Sequence, residues 1–375
     1  MLSQACIAGW GAGLKFAFVT TNLRGGGAEK AMLNLAALLA SRGHETQVLL
    51  LENLIEHCIP PGVNVHGLLQ PGHLAGKGWL GKRIAAWKLR RRVMAAGPFD
   101  LTVSTLPFAD EVVSLARLPR VWFRIANTLS AEIGALAAHN ARKAELRHQR
   151  YRRLYNRQRL IAVSDGVAAD LKILGLPDAR IERIYNPFDF EHIRRQAALP
   201  EPGLPHEPYV IHVGRFMPQK RHDILLAAWR EAALPYRLVL LTTPSQALEQ
   251  MIQSHGLTEQ VTVAGFHPNP YPWIAAAELL VLTSDREGMP NVLVEALACG
   301  TRVVSTDCPS GPGEVLTGAL ARWLVPCGDP HAFAGVMREA LSSSRPSPPQ
   351  DFSKFSAEKI ALAYEVLAQE HRERG

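Results

Sequence analysis

Residues 209–232 read YVIHVGRFMPQKRHDILLAAWREA: an apolar run at 209–214 ending in glycine, then a helical pattern from about 221 to 231. Further strand-like runs follow in YRLVLLT (236–242), QVTVAGF (260–266), ELLVLTS (278–284), TRVVST (301–306) and ARWLVP (321–326), with a helix near 291–299. Strands alternating with helices predict a parallel sheet covered on both faces. The same alternation fills the first half. It starts with LKFAFVT (14–20) and the helix-like AEKAMLNLAALLASRG (28–43), which Gly43 ends. ETQVLLL (45–51), a helix near 81–96, FDLTVST (99–105), RVWFRIA (120–126), a long basic helix near 138–158, RLIAVS (159–164), a helix near 165–174 and RIERIYN (180–186) continue it.

Between the two series lies a polar, proline-bearing stretch from Pro187 to Pro208, so the pattern restarts rather than continues. The expected fold is α/β with two Rossmann-like doubly wound domains. A basic N-terminal domain spans 1–190 and a second domain spans 191–350. A C-terminal helix within 351–375 follows the Ser/Pro-rich connector SSSRPSPPQ and packs back toward the first domain. A length of 375 residues suits two domains of roughly 150 to 200 residues each.

Composition narrows the class. With 47% hydrophobic and 20% charged residues the chain is neither disordered nor fibrous. Five cysteines, odd in number and without close pair spacing, suggest neither a disulfide framework nor a zinc site. No apolar run reaches the ~18 residues that span a bilayer, and the first residues lack the pattern of a secretory signal. A cytoplasmic protein is expected. Its net charge of +7 is unevenly spread: residues 1–200 carry 27 basic and 15 acidic side chains, whereas residues 201–375 carry 14 and 19. Such asymmetry points the first half toward an anionic partner.

Four segments carry chemistry, each with an ordinary structural alternative. Asn22-Leu23-Arg24-Gly25-Gly26-Gly27 joins a strand to a helix, where glycines allow close backbone approach and free N–H groups favour an anion; any Rossmann-like turn also uses glycine. Gly214 to Lys220 carries Arg215 and Lys220 at a strand end, where ligands of open α/β sheets bind; the alternative is a pair of surface charges at the helix approach. In Glu287-Gly288-Met289-Pro290-Asn291-Val292-Leu293-Val294-Glu295, the second glutamate lies in an apolar helical segment, where burying it unpaired is costly. Asp307 to Glu314, DCPSGPGE, is a loop aimed at the same crevice or a plain turn.

In this order, GGGAEK, NPFD (186–189), GRFMPQK, SDREGMPNVLVEALACGTRVV and DCPSGPGEVL resemble the family-4 retaining glycosyltransferases of the two-domain GT-B architecture. The likeness covers nearly the whole chain and is strongest from 209 to 328. It implies two domains facing each other across a cleft and transfer of a sugar from a nucleotide diphosphate sugar, UDP-linked, to a lipid-linked or lipopolysaccharide-type glycan. It further implies that Arg215 and Lys220 hold the diphosphate and that Glu287, also assigned to catalysis, faces the transferred sugar. The same likeness has Gly214 and Gly288, Met289, Pro290 and Asn291 lining the donor pocket, Glu295 on the ribose hydroxyls, Gly25, Gly26 and Gly27 over the phosphates, and Gly265, Phe266 and His267 around the base. The family's histidine after the strand VWFRIA is Ala126 here, leaving Arg124 and Asn127 as candidate polar contacts on the acceptor side.

Breaking a sugar–phosphate bond puts negative charge on the departing diphosphate, which preorganised cations stabilise. No Asp-x-Asp metal motif occurs, so metal-independent transfer without a cofactor is expected. Trp79 and Leu80, among glycines and cations from Gly76 to Arg83, precede Lys88, Arg90, Arg91 and Arg92; a second cluster holds Arg142, Lys143, Arg147, Arg150, Arg152 and Arg153. These suit an anionic membrane surface at the inner face of the cell membrane, with a solvated charged face as the alternative. No nucleic-acid motif is present. A nucleotide-sugar epimerase on the same architecture and an inactive membrane-associated scaffold stay open.

Overall fold

A computed structural model describes residues 13–24, 26–72, 78–345 and 352–373. The first sheet is built from β1 (Lys15–Thr20), β2 (Glu45–Leu50), β3 (Asn64–Gly67), β4 (Leu101–Thr105), β5 (Val121–Ile125), β6 (Arg159–Ala162) and β7 (Arg180–Arg183). The second contains β8 (Tyr209–Val213), β9 (Arg237–Leu241), β10 (Val261–Val263), β11 (Leu279–Leu282), β12 (Arg302–Thr306) and β13 (Leu324–Val325). Their orders are β3-β2-β1-β4-β5-β6-β7 and β10-β9-β8-β11-β12-β13. Neighbouring strands are parallel throughout both sheets.

Both sheets obey one rule. The chain lays strands outward on one side of the first strand, returns, and fills the other side, so the order reverses between β1 and β4 and again between β8 and β11. A crevice opens beyond the strand carboxyl ends at each reversal, because the loops on either side leave in opposite directions. The central strands are buried on both faces, as in YVIH and LLVL, since helices cover the sheets on two sides.

Several local expectations needed correction, and the helices Pro107–Ala116, Gln246–Ser254 and Pro330–Ser342 had no counterpart among the expected elements. The Pro187–Pro208 stretch is not all irregular: Asp189 accepts from His192 N at 2.8 Å and starts the helix Phe190–Ala197. That helix buries Ile193 alone, too little apolar signal for periodicity to show. The basic helix near 138–158 is two helices, Leu129–Ala137 and Ala141–Tyr155, the second capped where Asn140 accepts from Lys143 N at 2.9 Å. Strand β3 was not expected, being a short, half-exposed edge with little apolar content.

The final helix, Ala357–Glu373, lies against the first sheet's layer. Glu365 takes Arg42 Nε at 2.5 Å and His44 Nε2 at 3.0 Å, while Trp122 Nε1 donates to His371 Nε2 at 2.9 Å. At the crossing, Phe188 N donates to Phe355 O at 3.1 Å amid the rings of Tyr185, Phe188, Phe190, Phe352 and Phe355. Most of the connector, from 346 to 351, lies outside the described residues.

Candidate active site

The two reversal points face one another, and the loops leaving β1, β4, β5, β8, β9 and β11 line a cleft of about 690 Å³ between them. That volume suits a small organic ligand. The cleft gathers Gly26, Arg124, Asn127, Gly214, Arg215, Lys220, Phe266, Glu287, Met289, Pro290, Asn291 and Glu295, residues far apart in sequence. Gly25 lies outside the described residues. Gly288 is the next link in the same loop, between Glu287 and Met289.

The second domain's wall is held from behind. Arg221, at φ +49, places its guanidinium on both Asp285 oxygens at 3.0 and 3.1 Å. Thr283 Oγ1 donates to Lys220 O at 2.9 Å, and Asp285 N donates to Gln219 O at 3.0 Å. These bonds tie the loop after β8 to the loop after β11, which sets Lys220 Nζ 2.6 Å from Glu287 Oε1. Arg215 is exposed and makes no ion pair with a described residue. The wall therefore offers one cation already matched to a carboxylate and a second available to an anion.

The helix Asn291–Ala298 buries Glu295 to 6% exposure, answering the burial cost anticipated from its apolar surroundings. Its partners come from two places: Tyr271 Oη donates to Glu295 Oε1 at 3.2 Å, and Lys30 Nζ, from the first domain, lies 3.0 Å from the same oxygen. Phe266 is partly exposed, with its ring centroid 6.1 Å from that of His57. His267 Nε2 lies 3.1 Å from Ala264 O.

The first domain's wall consists mainly of backbone and buried polar groups. Arg124, at the end of β5, is 2% exposed and donates to Thr105 Oγ1 at 3.4 Å and to Asn186 Oδ1. Burial pulls its pKa below the usual value. Asn186 Nδ2 donates to Asn291 Oδ1 at 2.6 Å, and Asn291 Nδ2 donates to Gly27 O at 3.2 Å. A single chain of bonds thus runs from the first domain to the second and back. Asn127 Nδ2 donates across the cleft to Gln219 Oε1 at 3.4 Å. Ala126, at the position where the resemblance would place a histidine, presents its carbonyl: a Cβ on Gly288 would lie 2.0 Å from Ala126 O.

Sequence reasoning passed over several residues that shape this site. Glu29 folds back over Gly26, and burial raises its pKa against the opposing pull of its own backbone N–H, Arg215 and Arg124. The helix start read as an anion site therefore carries an internal carboxylate. Asp110, pushed up to about 7 by burial, accepts from Ser104 Oγ at 2.5 Å and from Tyr155 Oη at 2.7 Å beneath the first-domain wall. The loop DCPSGPGE, singled out as aimed at the crevice, contributes no residue to the cleft lining; instead Ser310 Oγ donates to Gly288 O at 3.0 Å and meets Ser164 Oγ at 2.8 Å. Glu314 accepts from Asp165 N at 2.8 Å and Gly166 N at 2.9 Å, so one domain caps a helix of the other. The spacing S-x-x-x-E was visible; what it reached was not.

Two doubly wound domains with facing switch points across a cleft define the GT-B architecture. A family model described as glycosyl transferases group 1 matches residues 207–343, and one described as glycosyltransferase family 4 matches residues 25–192. The chain belongs to this glycosyltransferase family. It is similar to the N-acetylgalactosamine-N,N'-diacetylbacillosaminyl-diphospho-undecaprenol 4-alpha-N-acetylgalactosaminyltransferase of Campylobacter jejuni, at 31% identity over 49% of this chain and 53% of that protein. It is also similar to the lipopolysaccharide 1,6-galactosyltransferase of Escherichia coli, at 27% identity over 48% of this chain and 52% of that protein. The chain thus spans about half the length of these relatives. Among solved structures, sucrose-phosphate synthase of Thermosynechococcus elongatus superposes with a TM-score of 0.77 at 20% identity, covering 96% of this chain and 100% of that one. HepE of Anabaena, solved in complex with UDP-glucose, gives 0.65 at 21% identity, covering 96% and 99%. At these identities the structures establish the fold alone.

Proposed function

We propose that this protein transfers a sugar from a UDP-sugar to a lipid-linked or lipopolysaccharide-type glycan, with retention of configuration and without a metal. The observation that carries the reading is the meeting of Arg215, Lys220, Glu287 and Glu295 in one cleft at the two facing switch points. In this reading Arg215 and Lys220 receive the diphosphate, and Glu287 turns from Lys220 toward the sugar. Glu295 takes the ribose, Phe266 flanks the base, Gly288 to Asn291 line the sugar pocket, and Gly25 to Gly27 close over the phosphates. The anomeric C–O bond breaks, its electron pair goes to the diphosphate, and the acceptor hydroxyl attacks from the same face and gives its proton to the departing phosphate oxygen. Arg124 and Asn127 serve the acceptor side, Arg124 indirectly through Asn186.

HepE, of like fold, was solved with UDP-glucose, and the Campylobacter relative is named for an undecaprenol-diphosphate-linked acceptor and an alpha linkage; both support the donor and acceptor classes. Delivery from a membrane surface is part of the proposal. On the helix Trp79–Ala95, Leu80, Ile84, Trp87 and Met94 are exposed along one side, opposite the buried Ala85, Leu89 and Val93. Arg83 and Arg91 lie over the Trp79 and Trp87 rings at 4.6 and 4.8 Å. An apolar stripe flanked by cations suits anionic headgroups. Gly76 and Lys77 lie outside the described residues. The second basic cluster contributes less, because Arg147 pairs with Glu132 and Arg150 with Glu111. No helix among the described residues is long and apolar enough to cross a membrane.

The test is thermal stabilisation by a panel of nucleoside diphosphates and their sugars in EDTA, with Arg215→Ala alongside. Stabilisation of the wild type by UDP and a UDP-sugar, lost in the variant, is the expected result. A panel that stabilises neither protein overturns the donor assignment. Co-sedimentation with anionic and neutral vesicles tests the surface: binding to anionic vesicles that Trp87→Ser abolishes is expected, and equal binding to both lipid types removes it from the proposal.

A further inference from the structure

Lys30 sits in the first turn of the helix Gly27–Ser41, directly after the glycine loop, yet its ammonium leaves its own domain. It lies 3.0 Å from Glu295 Oε1 and 4.5 Å from the centre of the Tyr271 ring, both in the second domain. Burial alone lowers the pKa of this lysine, but Glu295 and Tyr271 together hold it above its ordinary value. Tyr271 Oη donates to the same Oε1 at 3.2 Å. Both partners therefore converge on one carboxylate oxygen. Oε2 makes no hydrogen bond to a described residue, although Glu295 as a whole is buried and lines the cleft.

A carboxyl group buried in that position needs hydrogen-bonding partners. Lys30 and Glu295 both line the cleft, and the two contacts on Oε1 leave Oε2 as the carboxylate oxygen without a hydrogen bond to a described residue. We propose that Lys30, with Tyr271, is a positioning residue that holds Glu295 turned so that Oε2 accepts a ribose hydroxyl of the nucleoside diphosphate. Lys30 thereby makes ribose recognition depend on the first domain, so the hydroxyl is read only when the two domains meet. The inference rests on the assignment of Glu295 to the ribose proposed above.

A binding experiment with UDP, its 2′-deoxy and its 3′-deoxy counterparts tests both levels, using calorimetry on the full chain. Wild type is expected to bind UDP at least ~10-fold more tightly than one deoxy analogue, because a hydrogen bond to a charged group is lost. Lys30→Met should bind UDP more weakly and lose that discrimination, while Lys30→Arg restores it. A purely structural loss would weaken all three ligands alike and leave their ratio unchanged, which overturns the proposal. Tighter binding of UDP by Lys30→Met overturns it too, since Lys30 would then be a competitor for Glu295. If Lys30→Met fails to fold, Tyr271→Phe, which removes one of the two bonds to Oε1, must reduce the same ratio. Wild type that binds UDP without preferring it over either analogue sinks the ribose assignment of Glu295. No binding of UDP at all sinks the donor reading itself.

Discussion

The two walls of the cleft are made differently. The second domain's wall carries charged side chains near adjacent strand ends, with Lys220 tied through Thr283 and its loop through Arg221 to Asp285. The first domain's wall contributes backbone and relays: Gly27 O to Asn291, Ala126 O against Gly288, and Arg124 through Asn186. One wall holds the charges that a diphosphate needs. The other controls how closely those charges are enclosed. Substitutions in the second domain should therefore remove chemistry, and substitutions at the contact should disturb geometry.

The largest effect tests the charged wall. Arg215→Ala should lower kcat about 10²- to 10³-fold in donor-saturated transfer assays with an unchanged melting temperature, and Lys220→Ala should lower kcat similarly but also lower the melting temperature, because Glu287 loses its partner. A loss confined to KM would mean that the cations bind the ground state and the transition state equally. Next comes the contact. In Gly288→Ala the new methyl lies 2.0 Å from the Ala126 carbonyl, so the domains or the loop must shift. A fall in kcat of roughly 10²-fold is expected from misplacement of that order. Small-angle scattering should show a larger radius of gyration; wild-type turnover and radius would show that the two walls need not touch.

Glu314→Ala removes the carboxylate that caps the helix Asp165–Ile173 from the other domain. A cost of about 1 to 2 kcal/mol in stability is expected by chemical denaturation, with the ribose discrimination intact. The smallest effect lies away from the cleft. Burial first, then Arg159 and Arg120, lower the His371 pKa from 6.5 to about 4, and its Nε2 accepts from Trp122. The unfolded chain binds the proton more readily, so this contribution is present above about 6.5 and is lost as the pH falls toward 4. Melting temperature followed across that window should fall, and His371→Gln should flatten this part of the profile.

Much of this molecule could be read before any coordinates. Alternating apolar runs and helical patterns gave two doubly wound sheets, and the charged residues at strand ends indicated a common crevice, because side chains at the carboxyl ends of parallel strands share one edge. The helix Phe190–Ala197 escaped because a single buried residue leaves no periodic signal, and the division of the basic helix at Asn140 rested on one cap. At the site, Glu295 stood out as a glutamate in an apolar helix, whereas Lys30, inside GGGAEK, drew no assignment of its own.

The sequence by itself determined the local elements and which strand ends carry charge, since these follow from spacings of two to four residues along the chain. Only the tertiary structure decided that Lys30 meets Glu295, 265 positions away, that Glu314 caps a helix of the other domain, and that Gly288 lies against Ala126. Such pairings depend on how two rigid sheets approach, and that geometry is set by the sum of many packing contacts rather than by any one stretch of residues.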